Sequence, residues 1–463
     1  MEEFDVIVIG SGSAGYVSAI RLADLGKSVL IVEERTLGGT CLNRGCIPTK
    51  AILKASDVYR ESLESKVFGI HVENVSYNSE EIKKWKEIVV KKLVSGVDFL
   101  LKARKVQIKY GKGYIVDGNT VEVQTETGKE IFKGKDIIIA TGSEPAMIPA
   151  FKIDHTNVLT SDDALELTSY PKEIVIVGAG AIGMEFATFF NAFNIKVTVV
   201  EMMETVTPTL QDKRLTNLIQ RIYEKKGVVF KLGKKIENIE TKENKVYLTL
   251  NDGEVIETEK VLVSIGRKLN SENIGLEKLN IKTEKGKILV DEYLRTNVEH
   301  HYAIGDVTGG LLLAHKAMKE GETVAEIIAG NDKKMDYRVV PWAIFTTPEI
   351  ASVGFTEEEA KKKEVEVVVG EFPFTANGKA VSMNATEGIV KVVAKKDTKE
   401  IIGAQIVGPE ASVMIAELAL AVKNNLTLND VADTIHTHPT LPEATMEATK
   451  VPLGEVVHMV VRK

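Results

Sequence analysis

The sequence predicts an α/β protein with two Rossmann-like dinucleotide-binding domains and a C-terminal α+β domain. Three observations carry this. The stretch "FDVIVIGSGSAGYVSAIRLADLGKSVLIVEER" reads as strand, glycine turn, helix and strand, and "EIVIVGAGAIGMEFATFFNAFNIKVTVVEM" repeats the pattern. An offset of 168 residues lays Gly10, Gly12 and Gly15 on Gly178, Gly180 and Gly183, and Glu33 on Glu201. From Met335 onward the texture changes to runs such as "GIVKVVAKK" and "IIGAQIVG", then the helical "ASVMIAELALAVKNN", with no further glycine fingerprint.

Each fingerprint has a physical reading. The first glycine makes the tight turn, the second lets a pyrophosphate approach the backbone, and the third lets helix pack on strand. The diphosphate then meets free N–H groups at a helix N-terminus. Glu33 and Glu201, each closing the second strand of its unit, are placed to accept a hydrogen bond from a ribose hydroxyl. Two further apolar strands end in glycine turns, "DIIIATGSEP" with Thr141 and Gly142, and "KVLVSIGRKLN" with Gly266. Such turns suit a chain leaving one sheet for another domain, so boundaries fall near 145 and 266. With 463 residues the chain exceeds the size of a single core. The expected division is 1–145, 146–265, 266–335 and 336–463. The third segment holds "HYAIGDVTGGLLLAHKAMKEG", a strand ending at Gly305 and Asp306 that runs into a helix expected from Leu312. Asp306 reads equally as a turn residue or as a group facing a polar ligand.

Composition narrows the function classes. The net charge is −7, lysines are interspersed with glutamates, and no apolar run reaches membrane-spanning length. Nucleic-acid and membrane partners are therefore not expected, and the opening residues lack a basic n-region, so a cytoplasmic location is. The only two cysteines, Cys41 and Cys46, lie five positions apart in "LGGTCLNRGCIPTK". As a staple, so short a loop would add only about 2 kcal/mol. As a metal site the pair would need two more ligands, and no neighbouring histidine supplies them. A redox dithiol needs a bend, since a regular helix holds residues five apart beyond disulfide range. Gly45 and Pro48 offer that irregularity, and Thr40 is a candidate cap for a helix that lowers a thiolate pKa. Late in the chain, "HTHPTLPEA" places His436 and His438 before Glu443, a pattern open to strand surface, half a metal site or an acid/base pair.

Taken together, "GSGSAG", "GGTCLNRGCIPTK", "GAGAIGMEF", "AIGDVTGGLLLAHKA" and "HTHPTLPEA" resemble the flavin-dependent pyridine nucleotide-disulfide oxidoreductases, in the right order over essentially the whole chain. Within that family the likeness is to members that oxidise protein-bound dihydrolipoamide. The resemblance implies that FAD occupies the first fingerprint (Gly10, Gly12, Gly15, Glu33, with Thr40, Lys50, Thr141, Gly142, Asp306, Ala314 and His315) and that residues 266–335 complete the FAD domain. It places NAD on the second (Gly178, Gly180, Gly183, Glu201, Gly266). It makes Cys46 the flavin-facing thiol, Cys41 the thiol that meets substrate, and Lys50–Glu185 an ion pair beside the reactive flavin nitrogen. It also implies a homodimer joined through residues 336–463, in which His438, oriented by Glu443, serves the dithiol of the opposite subunit. No metal is implied.

Glu201 argues for NAD, because a carboxylate repels a 2′-phosphate, and Met202 and Met203 follow where arginine would suit NADP. No cysteine follows Cys46, which separates the chain from relatives that need a further C-terminal pair. The expected partner is a lipoyl-bearing carrier protein of a 2-oxo acid dehydrogenase or glycine cleavage complex. The alternatives are a reductase of another small disulfide and a flavoprotein redox sensor that does not turn over.

Overall fold

The fully buried runs Val6–Ile9 and Ile137–Ile139 lie side by side as parallel strands, and a computed structural model shows the sheet they begin. The structure describes residues 2–460, so Met1 of the expected unit 1–145 and residues 461–463 of the unit 336–463 lie outside the described residues. The parallel part of this sheet runs Gln107–Tyr110, Val29–Glu33, Glu2–Ile9, Gly128–Ile139 and His301–Ala303. Because both faces are covered at the centre of the sheet, the inner runs Val6–Ile9, Val29–Val32 and Ile137–Ile139 are continuously apolar instead of alternating. Two antiparallel strands, Thr120–Thr125 and Lys112–Ile115, extend the sheet from the other half of Gly128–Ile139.

A second parallel sheet has the order Val229–Leu232, Lys196–Glu201, Glu173–Val177, Lys260–Val263 and Val158–Leu159. The chain crosses between these sheets on two short strands, Ser143–Pro145 and Arg267–Leu269, which pair antiparallel with each other. The third sheet is antiparallel, in the order Trp342–Ile344, Glu349–Gly354, Ile401–Gly408, Ile389–Lys395 and Val367–Pro373, and packs against helices Ala411–Lys423 and Glu443–Lys450. The architecture is thus two Rossmann-like α/β units and an α+β unit. Among the described residues no helix is long and apolar enough to cross a membrane.

The helix after Asp306 starts at Ala314, two residues later than expected, because Leu313 is still extended. Gly321 on this helix explains its close packing on helix Ser13–Asp24: a Cβ there would lie 2.6 Å from the Ala14 carbonyl oxygen.

Candidate active site

The two glycine turns match in their hydrogen bonds as well as their sequence. The Gly10 N–H donates to the Val32 carbonyl at 2.8 Å, and the Gly178 N–H to the Val200 carbonyl at 2.8 Å. Glu33 accepts from the N–H groups of Ser11 and Arg35, and Glu201 from those of Ala179 and Met203, at 2.7–2.9 Å. Every one of these partners obeys the same offset of 168. Both carboxylates are 7% exposed, and each ties its strand end to its glycine turn. A Cβ on Gly15 or Gly183 would lie 2.0 Å from the first glycine's carbonyl oxygen, which enforces glycine at the third position. A Cβ on Gly12 or Gly180 would meet nothing within 4 Å: this open side leaves room for a phosphate to approach the backbone.

Around the first turn lies a cavity of about 1060 Å³, above the roughly 300–1,000 Å³ of most small-molecule sites and large enough for a dinucleotide. Gly10, Gly12, Glu33, Thr40, Cys41, Cys46, Lys50, Thr141, Gly142, Glu185, Asp306, Ala314 and His315 all line it. Gly12 and Gly39 bring bare backbone together in the cavity lining, too close for a Cβ on Gly39, which would lie 2.6 Å from the Gly12 Cα. The residues therefore fit the flavin. Gly178, Gly180, Gly183, Glu201 and Gly266 belong instead to the second unit, where Gly266, at φ +116°, accepts the Ala146 N–H between the crossover strands.

The bend between the cysteines is a break between two helices. Cys41 lies in Gly39–Asn43 and Cys46 opens Cys46–Glu64, with Arg44 at φ −143° and Gly45 at φ −138° between them. Thr40 therefore caps nothing; it sits inside the first short helix, and its hydroxyl faces the Ser143 carbonyl at 3.5 Å. Pro48 does not bend the chain either. It occupies the first turn of the second helix, where an amide N–H has no helical partner to lose. Both thiols are free, and each shifts the other's ionisation. The adjacent Cys41 thiol, aided by the Lys50 charge, overcomes burial and pulls the Cys46 thiol down to about 7. The neighbouring Cys46 and burial push Cys41 up, so the pair gives its first proton from Cys46.

Lys50 reaches across from helix Cys46–Glu64 to Glu185 on helix Ala181–Ala192, at 2.8 and 2.9 Å. The Phe345 ring lies 4.3 Å from the Lys50 ammonium, and the Phe345 N–H donates to Glu185 at 3.0 Å. Also in the lining, the Ser143 hydroxyl donates to Asp306 at 2.5 Å, and Arg267 donates to both the Ser143 hydroxyl and carbonyl oxygens at 2.7 Å. His315 Nε2 donates to the Pro341 carbonyl at 2.6 Å. Ser143, Arg267 and Phe345 escaped the sequence reading. Arg267 had a signal, a cation directly after the glycine that ends an apolar strand; Phe345 had none.

His438 and Glu443 lie apart from this cavity. His438 Nδ1 is 2.8 Å from Glu443, whose other oxygen accepts the Thr440 N–H at 2.7 Å. Burial opposes ionisation of Glu443, but the Thr440 N–H and His438 outweigh it and hold its pKa low. The His438 side chain is 77% exposed, so this chain alone leaves its Nε2 side uncovered. The neighbouring His436 is the buried one, held between Glu417 and the Thr434 carbonyl at 2.8 Å each. Among the described residues there is no group of three or more side chains suited to a metal ion.

Two family models match the chain, pyridine nucleotide-disulphide oxidoreductase over residues 4–321 and the dimerisation domain of the same family over residues 340–449. A dihydrolipoyl dehydrogenase of Geobacillus stearothermophilus is 44% identical, covering 99% of this chain and 98% of its own. One from Bacillus subtilis is 42% identical with the same coverage, and one from Haloarcula marismortui is 42% identical over 98% of both. Among solved structures, LpdA of Mycobacterium tuberculosis superimposes with a TM-score of 0.91 at 25% identity, covering 97% of this chain and 99% of its own. The HOCl-induced flavoprotein disulfide reductase RclA of Escherichia coli does so with 0.88 at 27% identity, covering 96% and 99%.

Proposed function

Because the chain belongs to the pyridine nucleotide-disulphide oxidoreductase family, we propose that it acts as a dihydrolipoyl dehydrogenase (dihydrolipoamide dehydrogenase), oxidising protein-bound dihydrolipoamide with NAD⁺. The observation that carries the reading is one cavity shared by the glycine cradle, the Cys41–Cys46 pair and the Lys50–Glu185 ion pair. FAD is held by residues 1–145 together with 266–335, NAD by 146–265, and 336–463 form the dimerisation domain. A cytoplasmic setting suits two cysteines that cycle between thiol and disulfide.

In the proposed cycle, His438 of the partner subunit, oriented by Glu443, removes a proton from a dihydrolipoyl thiol. The thiolate attacks Cys41 Sγ, breaking the Cys41–Cys46 disulfide and releasing Cys46 as thiolate. The second substrate thiolate then displaces Cys41, closing the lipoyl ring and leaving the dithiol two electrons richer. Lys50 and the Cys41 thiol hold Cys46 ionised and ready to give up that pair. When bound, FAD supplies the two-electron acceptor that hands a hydride to NAD⁺. The partner is a lipoyl-bearing carrier of a 2-oxo acid dehydrogenase or glycine cleavage complex.

The test is NAD⁺ reduction by dihydrolipoamide on the purified, FAD-loaded protein. Turnover is expected. FAD-loaded protein that reduces its Cys41–Cys46 disulfide with NADH yet leaves lipoamide untouched would overturn the substrate assignment.

A further inference from the structure

Behind Asp306, on the side away from the cavity, lies a buried charged network that the reaction does not use. Glu320, on helix Ala314–Ile328, has no exposed surface and Lys316, one turn earlier, is 4% exposed. Their charges lie 3.2 Å apart. Glu320 Oε2 accepts the Gly305 N–H at 2.7 Å, and Oε1 accepts the Tyr337 hydroxyl at 2.6 Å. The Lys316 ammonium faces the Gly305 carbonyl at 3.4 Å and the Gly309 carbonyl at 3.2 Å, with the Thr308 hydroxyl at 3.5 Å.

The network therefore grips the turn Gly305–Thr308 at both ends, and that turn presents Asp306. Gly305 sits at φ +79°, and a Cβ there would lie 3.2 Å from Ala14, so the turn is also pressed against the helix that follows the first glycine fingerprint. Burying a carboxylate and an ammonium is costly unless each is fully partnered. Here each oxygen of Glu320 has a donor, and the lysine has backbone oxygens of the very turn in question. An apolar pair would fill the same space without fixing the turn.

We infer that Glu320 and Lys316 are positioning residues for the flavin, acting through the Gly305–Thr308 turn to hold Asp306 at the cofactor cavity, with Tyr337 anchoring the carboxylate from behind. The inference rests on the reading of that cavity as the FAD site.

The test is FAD affinity of the full chain, measured by flavin fluorescence on reconstituting apoprotein, for wild type, Glu320→Ala, Glu320→Gln, Asp306→Ala and the double variant Asp306→Ala/Glu320→Ala. Stranding the buried Gly305 N–H in Glu320→Ala should weaken FAD about tenfold. Glu320→Gln, which keeps an acceptor for that N–H, should recover most of the loss. In the Asp306→Ala background the Glu320→Ala change should cost less than about twofold, because its effect runs through Asp306. Additive losses would overturn the proposal, as would Glu320→Ala binding FAD like wild type. Should Glu320→Ala not fold, Lys316→Met and Tyr337→Phe give the same comparison, and unchanged FAD affinity in both would overturn it. Wild-type chain that binds no FAD would refute the site reading instead.

Discussion

Lys50 donates to both carboxylate oxygens of Glu185, joining the helix that carries Cys46 to the helix that follows the second glycine fingerprint, 135 positions away. The two partners act on Cys46 with opposite sign: the Lys50 charge lowers its pKa and the Glu185 charge raises it. Lys50→Met should therefore move Cys46 ionisation to higher pH, and Glu185→Gln to lower pH. The pH dependence of iodoacetamide alkylation of the reduced protein reads both. Shifts of the same sign in the two variants would refute the assignment. Turnover should fall about ten- to hundredfold in Lys50→Met, since the variant removes a preorganised cation from the reacting centre.

The depressed Cys46 pKa also makes a stability prediction. The folded thiol ionises at about 7, against a reference value of 9.0, so between those limits the unfolded chain binds more protons. Stability of the reduced protein should then rise as pH goes from about 7 to 9. Above 9.0 Cys41, whose folded pKa is raised, reverses the trend. Urea midpoints across this range should show the rise in wild type and not in Cys46→Ser. The same variant should lose lipoamide turnover, and on reduction it should show none of the long-wavelength absorbance expected of a Cys46 thiolate stacked on the flavin. Wild-type turnover in Cys46→Ser would sink the scheme.

The glycine cradles were legible because their chemistry is local: Gly10, Gly12 and Gly15 need one another within six residues, and the offset of 168 exposed the copy. The cysteine bend was half legible. Its place near Gly45 was readable, but that two helices meet there, with Pro48 harmless inside the second, depends on the φ values of Arg44 and Gly45. Lys50–Glu185 came only from family resemblance, because no periodicity links residues that far apart. Glu320 was invisible for a different reason. In sequence it is one of three glutamates on a charged helix, and only burial reveals that it holds the turn of Asp306.

Glu201 should set the choice of nicotinamide cofactor at a structural cost. Glu201→Arg removes the carboxylate that repels a 2′-phosphate, and kcat/KM ratios should move from NAD toward NADP. The same change strands the Ala179 and Met203 N–H groups that Glu201 now satisfies, which should cost about 1–3 kcal/mol of stability. Unchanged NAD:NADP selectivity in a folded Glu201→Arg protein would count against the second fingerprint as the NAD site. Met202, 70% exposed beside it, is the safer place for an added arginine.

The exposed His438 leads to a test of subunit sharing. His438 is fixed through Nδ1 by Glu443, whose own second oxygen is fixed by the Thr440 N–H, so the ring is oriented before anything covers its other side. Glu443→Gln should keep the contact but weaken the base, lowering kcat about ten- to hundredfold. Homodimers of His438→Gln and of Cys41→Ser should both be inactive. In a mixed dimer of the two, the intact dithiol belongs to the His438→Gln subunit and the intact histidine to its partner. If His438 serves the opposite dithiol, one of the two sites is whole, and the purified mixed dimer should recover about half of wild-type turnover. If His438 served its own chain, neither site would be whole and the mixed dimer would be as inactive as its parents.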